Sequence, residues 1–156
     1  KEQGIIVSGE ISSLAKSRYV MLEFPVDIDY ETIAEAIRDI SMDGYIPIVS
    51  HVETYSCLDE DEDMVEDLIK LGAYIQVDSG SVMGENGHDI RNFARKLVKN
   101  EMVHFIATDA HDCDDKAPLM KECAEYIERK CGFDYMNEVL YINPMAIIEN
   151  DDVEII

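Results

Sequence analysis

Four residues that bind divalent metals stand at the ends of apolar, strand-length segments. Glu23 closes VMLE, His51 closes IPIVSH, and Asp109 with His111 closes FIATDAH. Two carboxylates and two imidazoles make a mixed nitrogen and oxygen donor set, suited to zinc, manganese or iron. Each residue also has an ordinary structural explanation. A histidine after a strand is commonly a hydrogen-bonded loop residue, and Asp109 could cap the turn that follows it. Glu23 is harder to explain this way, because a carboxylate inside a run as apolar as YVMLEF needs a partner to offset its burial.

The segments that carry these residues alternate with amphipathic stretches. Residues 19–24 (YVMLEF), 45–50 (YIPIVS), 73–78 (AYIQVD) and 103–108 (VHFIAT) read as buried strands. Between the first two, residues 30–43 place Ile33, Ile37 and Ile40 on one helical face. Met64, Leu68 and Leu71 repeat that spacing, and Gly44 and Gly72 end the two helices. A third helix over residues 89–100 buries Ile90, Phe93, Ala94 and Leu97 and leaves Arg91, Arg95, Lys96 and Lys99 in water; a fourth covers residues 118–130. Asn143 and Pro144 read as cap and first turn of a last short helix over residues 145–149. The acidic run within residues 57–67 reads as a solvated helix entry. Alternation of this kind predicts an α/β fold of parallel strands covered by helices. In barrels of parallel strands the C-terminal strand ends share one mouth, which would bring residues distant in sequence together.

Other residues take lesser parts. Asp78 and Ser79 end the third strand and could line the same mouth. Tyr55 is expected to pack at its rim. His104 should point away from Asp109 by two-residue alternation and so belong to the core. His88 follows the Gly-rich turn over residues 80–87, which lacks the Lys partner of a phosphate loop and is a weak phosphate signal. Cys113 has no C-x5-R loop after it and reads as structural, and Glu10 is given no role.

Composition excludes several classes. Within 156 residues, 34 Asp plus Glu stand against 13 Lys plus Arg, a formal charge of -21, so duplex nucleic acid would be repelled. Four cysteines without a C-x-x-C pair read as reduced thiols of a cytoplasmic protein. No run approaches the roughly 20 apolar residues that span a bilayer, so membrane insertion is not expected. One domain over residues 1–156, without repeats or linkers, is the expected organisation.

Four segments carry a resemblance. SRYVMLEFP (17–25), GYIPIVSHVETY (44–55), GAYIQVDSGSVMG (72–84) and VHFIATDAH (103–111) follow, in order and spacing, signature segments of the PHP (polymerase and histidinol phosphatase) type of bacterial protein-tyrosine phosphatase, the group linked to capsule regulation. The resemblance implies part of a distorted, TIM-like (β/α)7 barrel. It implies metal ligands at Glu23, His51, Asp109 and His111, with divalent ions, manganese first and iron or zinc as alternatives. It also implies hydrolysis of a phosphotyrosine protein, ordinarily a bacterial tyrosine kinase that regulates capsule or exopolysaccharide synthesis.

The departures are equally specific. The family's N-terminal H-x-H has no counterpart, since His51 is the first histidine, so the chain is expected to be the C-terminal portion of such a domain. Thr54 stands where the family's H-P-E-R-Y stretch has Arg, and Lys116 where a second phosphate-gripping Arg follows D-A-H. Lys116 thereby inherits the catalytic role as a point charge rather than a bidentate fork. Two other readings stay open: a catalytically degenerate relative that binds or regulates, and a different metallohydrolase of amidohydrolase type.

Overall fold

The computed structural model describes residues 10–13, 17–58, 60–107 and 113–149; the side chains of residues 10–13 and 113–118 fall outside the description. Asp109 and His111 lie outside the described residues, as does the side chain of Lys116.

The chain order is β1 (Glu10–Ser13), β2 (Tyr19–Glu23), α1 (Tyr30–Met42), β3 (Ile46–Val49), α2 (Glu62–Lys70), β4 (Tyr74–Asp78), α3 (Ser79–Val82), α4 (His88–Lys99), β5 (Phe105–Ala107), α5 (Cys113–Cys131), α6 (Phe133–Asn137) and α7 (Asn143–Glu149). The strands lie side by side in chain order. β2, β3, β4 and β5 are parallel, as the alternation of strands and helices predicts. β1 is antiparallel to β2, with Glu10 opposite Glu23, and was not anticipated.

Local chemistry sets the helix ends. Asp29 caps α1 by accepting from the Thr32 backbone N–H and hydroxyl. Asp61 caps α2 ahead of Glu62 and Asp63, so the acidic run does meet the positive end of a helix dipole. Gly44 and Gly72 follow the two helices at φ +90° and +115°, backbone that a side chain would strain. On α2 the fully buried pair is Val65 and Leu68, while Met64 and Leu71 are only half-buried.

Two-residue alternation gives the sheet two faces. Val20, Leu22, Val49, Ile75 and Val77 face α1, α2 and α4 in the main core, where each fully buried aliphatic side chain contributes roughly 1.5–3 kcal/mol. Tyr19, Ile48, Tyr74 and Phe105 form a second core on the other face, closed by Ala146 and Ile147 of α7. His104 is fully buried here, edge-on to Tyr74 with ring centroids 4.9 Å apart; it is the core residue expected, but it shares this face with its neighbour Phe105 instead of alternating with it, because it lies ahead of the strand.

The last helical segment differs from expectation. Asn143 is not a cap: residues 133–149 run through α6, a π-helical turn (Glu138–Ile142) and α7, and Asn143 has helical backbone angles. Its side chain is drawn instead to the His104 carbonyl, to which it donates at 2.8 Å. A buried carbonyl in need of a donor outweighs the local capping preference.

Candidate metal centre

Glu23 is the last residue of β2, and His51 follows β3 by one residue beyond Ser50. Their side chains meet: His51 Nε2 lies 2.7 Å from Glu23 Oε2. The other ring nitrogen, Nδ1, lies 2.7 Å from Oδ2 of Asp78, the last residue of β4. Three adjacent parallel strands thus deliver a carboxylate, an imidazole and a second carboxylate into one hydrogen-bonded chain. Glu23 and Asp78 share strand parity with Tyr19 and Tyr74, so both emerge on the face away from α1 and α2.

The backbone is bent to make this possible. His51 adopts left-handed angles, φ 56° and ψ 36°, which are unfavourable for a residue with a Cβ. Its carbonyl accepts from both the Thr54 backbone N–H, at 2.9 Å, and the Thr54 hydroxyl, at 2.8 Å. Tyr55 then ties two strand ends together: its hydroxyl donates to the Ser50 carbonyl at 2.7 Å and accepts from the Phe24 N–H at 3.1 Å. Ser50 and Phe24 are the neighbours of His51 and Glu23, so one buried phenol fixes their spacing. Tyr55 is therefore no rim residue; it is 2% exposed and lies beneath the site.

Charge is concentrated here. The hydrogen bond that His51 gives to Asp78, with both carboxylates' charges, pushes the imidazole up to about 9 against the opposing effect of burial. Glu53 is 4% exposed, and burial, followed by the Asp78 charge, raises its carboxyl to about 7. Glu53 Oε2 accepts the Asp78 backbone N–H at 3.1 Å and so supports the residue that orients His51. Asp78 Oδ1 and Ser79 Oγ are buried without a hydrogen-bond partner among the described residues.

These residues fit a divalent metal as part of a shell. Glu23 and His51 present an oxygen and a nitrogen donor side by side, and a carboxylate on the far ring nitrogen is the usual orienting partner of a metal-bound histidine. Among the described residues no group of three or more His, Cys, Asp or Glu is placed to hold an ion. Of the four expected ligands the structure brings together Glu23 and His51, with Asp109 and His111 outside its description.

A mouth of 500 Å3 opens over His51 and Asp78, lined also by Phe24, Val26, Thr54, Asn86 and Ile90. A larger groove of 640 Å3, between α2 and the end of α4, contains none of the strand-end residues, so chemistry rather than size locates the site. His88 stays outside, its Nδ1 within 3.0 Å of Arg91 on the exposed start of α4. The Gly-rich stretch is not a phosphate cradle: residues 79–82 are a short buried helix.

Reasoning from sequence missed Glu53 and underrated Asp78. Both carried a signal: Asp78 ends an apolar strand just as Glu23 does, and Glu53 is the acidic residue in VETY immediately after His51.

Known proteins resemble this chain over most of its length. The chain is 33% identical over 144 residues to the tyrosine-protein phosphatase CpsB of Streptococcus pneumoniae, covering 89% of this chain and 59% of that protein. It is 29% identical to the putative tyrosine-protein phosphatase CapC of Staphylococcus aureus, over 95% of this chain and 58% of CapC. It spans about three-fifths of the length of these relatives. A chain from the crystal structures of YwqE from Bacillus subtilis and CpsB from Streptococcus pneumoniae, metal-dependent tyrosine phosphatases, matches with a TM-score of 0.83 at 26% identity, over 92% of this chain and 58% of that one. The model of capsular polysaccharide synthesis proteins of the CpsB/CapC type matches residues 3–149, and the chain belongs to that family.

Proposed function

We propose that this chain carries part of the active centre of a metal-dependent phosphomonoesterase that acts on phosphotyrosine proteins in capsular polysaccharide synthesis, a bacterial tyrosine kinase being the expected substrate. The observation that carries this reading is the Glu23–His51–Asp78 chain at three parallel strand ends. Glu23 and His51 would hold a divalent ion, manganese ahead of iron or zinc, and Asp109 and His111 would join them. When bound, such ions activate water for attack on phosphorus and neutralise charge developing on the phosphate.

The chain's own groups prepare that chemistry. Asp78 accepts from His51 Nδ1–H and fixes that proton, so a metal displacing the proton at Nε2 would take Nε2 as its ligand atom beside Glu23. Tyr55 and the Thr54 hydroxyl hold the backbone that carries the ring. Phe24, Val26 and Ile90 give the mouth an apolar side. Lys116 takes the phosphate-binding role of the family's arginine. Cys123 is unsuited to act as a nucleophile: it is buried, and burial pushes its thiol up to about 12.

The test is hydrolysis of p-nitrophenyl phosphate and of a phosphotyrosine peptide with added manganese. Turnover should be lost by at least about 100-fold in His51→Ala, since removing a ligand removes the ion's contribution; metal-independent turnover, or turnover indifferent to this change, would refute the reading. One observation favours a second reading, a binding or regulatory relative. The Thr54 hydroxyl is already committed to the His51 carbonyl and offers nothing to phosphate. Thr54→Arg separates the two readings. An enzyme short of one phosphate grip should gain about tenfold or more in kcat/KM, whereas a module without catalysis gains nothing.

A further inference from the structure

The positive charge of this acidic chain is concentrated in one place. Arg91, Arg95 and Lys99 recur every four residues on α4 and so share a face, and the end of α5 adds Arg129 and Lys130 beside Lys96. Six of the chain's 13 basic residues therefore line two neighbouring helices of a protein whose formal charge is -21.

The arrangement is a built groove rather than a loose surface. Arg95 and Arg129 both lie over the Tyr126 ring, 4.4 and 5.6 Å from its centroid, and Arg95 Nε donates to the Val82 carbonyl at 2.7 Å. These contacts anchor the floor and leave Lys96, Lys99 and Lys130 exposed along a groove of 440 Å3. Among the described residues, none of Arg95, Lys96, Lys99, Arg129 and Lys130 forms an ion pair, although 34 carboxylate residues are present in the chain. Like charges held close without counterions repel one another, so an anionic occupant relieves a cost already present in the fold.

We propose that the groove between α4 and α5 docks an acidic peptide segment of the protein substrate, flanking the phosphotyrosine. This rests on the phosphatase reading and deepens it. Ile90, on the first turn of α4, lines the catalytic mouth, and Lys99 ends the same helix. Nine helical residues rise about 13–14 Å, which about four extended residues span. Acidic side chains three to five positions from the phosphotyrosine would therefore reach Lys96, Lys99 and Lys130. A peptide suits the site better than duplex nucleic acid, whose dense charge would meet the repulsion of the whole molecule, whereas a short acidic segment meets the local cations within a Debye length.

The test uses the whole chain and a fluorescein-labelled, unphosphorylated peptide of alternating Glu and Gly, with a Gln and Gly twin and a single-stranded oligonucleotide of equal charge. Anisotropy at low salt should show binding of the Glu peptide in preference to both controls. Binding should weaken at least tenfold in the triple variant K96E/K99E/K130E, whose folding is checked by circular dichroism. A second arm places phosphotyrosine four residues from a Glu cluster. KM should be several-fold lower than for the neutral twin in the wild type but not in the variant, with p-nitrophenyl phosphate hydrolysed equally by both proteins. No binding of the Glu peptide, binding untouched by charge reversal, or preference for the oligonucleotide overturns the docking site. Because the first arm needs no phosphate, peptide binding by a protein without turnover would leave the groove standing and remove only the phosphatase reading.

Discussion

Asp78 decides how well His51 can serve as a ligand. An imidazole hydrogen-bonded at Nδ1 is fixed in tautomer and ring angle, and loss of such a partner commonly costs 10–100-fold in metal affinity or activity. Asp78→Asn keeps the size of the side chain but removes its charge, and its amide must turn its oxygen toward the ring to hold Nδ1–H. Manganese affinity, measured by calorimetric titration, should fall by about 10–100-fold while the thermal transition stays cooperative. Unchanged affinity would mean that the bond is incidental. At this scale the sequence was only partly legible. Strand-end position pointed to Glu23 and His51 because an acidic or imidazole side chain stands out against an apolar strand. Asp78 obeys the same rule, but its effect passes through a histidine 27 positions away, which only the parallel pairing of β3 and β4 makes a neighbour. The Glu53 contact with the Asp78 N–H is less accessible still, since it depends on the left-handed turn at His51.

Elements were legible where hydrophobic period and length agreed. The core strands and the helix before β3 lie within a residue or two of their expected ends, and the helix after β3 stops just ahead of Gly72 as expected, because alternating burial and capping residues act locally. β5 starts later than its apolar run: residues 103 and 104 stay outside the ladder, although the His104 backbone N–H still donates to the Ile75 carbonyl. The His104 ring in turn accepts at Nδ1 from the Ile75 N–H, at 3.0 Å, so β4 and the approach to β5 are joined through a buried neutral imidazole. Burial lowers its pKa to about 4 from 6.5. The unfolded chain then binds the proton first as pH falls. Stability owed to the neutral ring is complete above pH 6.5 and is lost progressively between 6.5 and about 4, by about 3 kcal/mol in full. Urea denaturation across that window should show the wild type losing stability relative to His104→Asn, whose Oδ1 can accept the same N–H without titrating; Glu53, raised to about 7, adds an opposite slope common to both proteins. Parallel profiles would assign acid sensitivity to other groups.

The whole molecule adds a field that no single site reveals. With 34 acidic and 13 basic residues, self-repulsion works against the compact state at every pH where the carboxylates are ionised. The Arg38–Glu31 pair, at 3.0 Å, and the Lys70–Glu66 pair, at 4.0 Å, are both exposed and offset little of it. Salt should therefore stabilise this fold. Raising ionic strength from 0.01 to 0.1 M shortens the screening length from about 30 to about 10 Å, which spans the separation between most surface carboxylates of a domain this size. Each kcal/mol of repulsion removed should raise Tm by roughly 2–4 °C, so a calorimetric scan in sodium chloride should move upward over that range and level off beyond it. Docking of an acidic peptide on the α4–α5 groove has the opposite sign, since the same ions weaken a local attraction. Opposite salt responses in one protein, stability rising while peptide binding falls, are what a confined basic groove on an anionic molecule requires. A Tm that falls with salt would show that local attractions, not net repulsion, dominate the charge distribution.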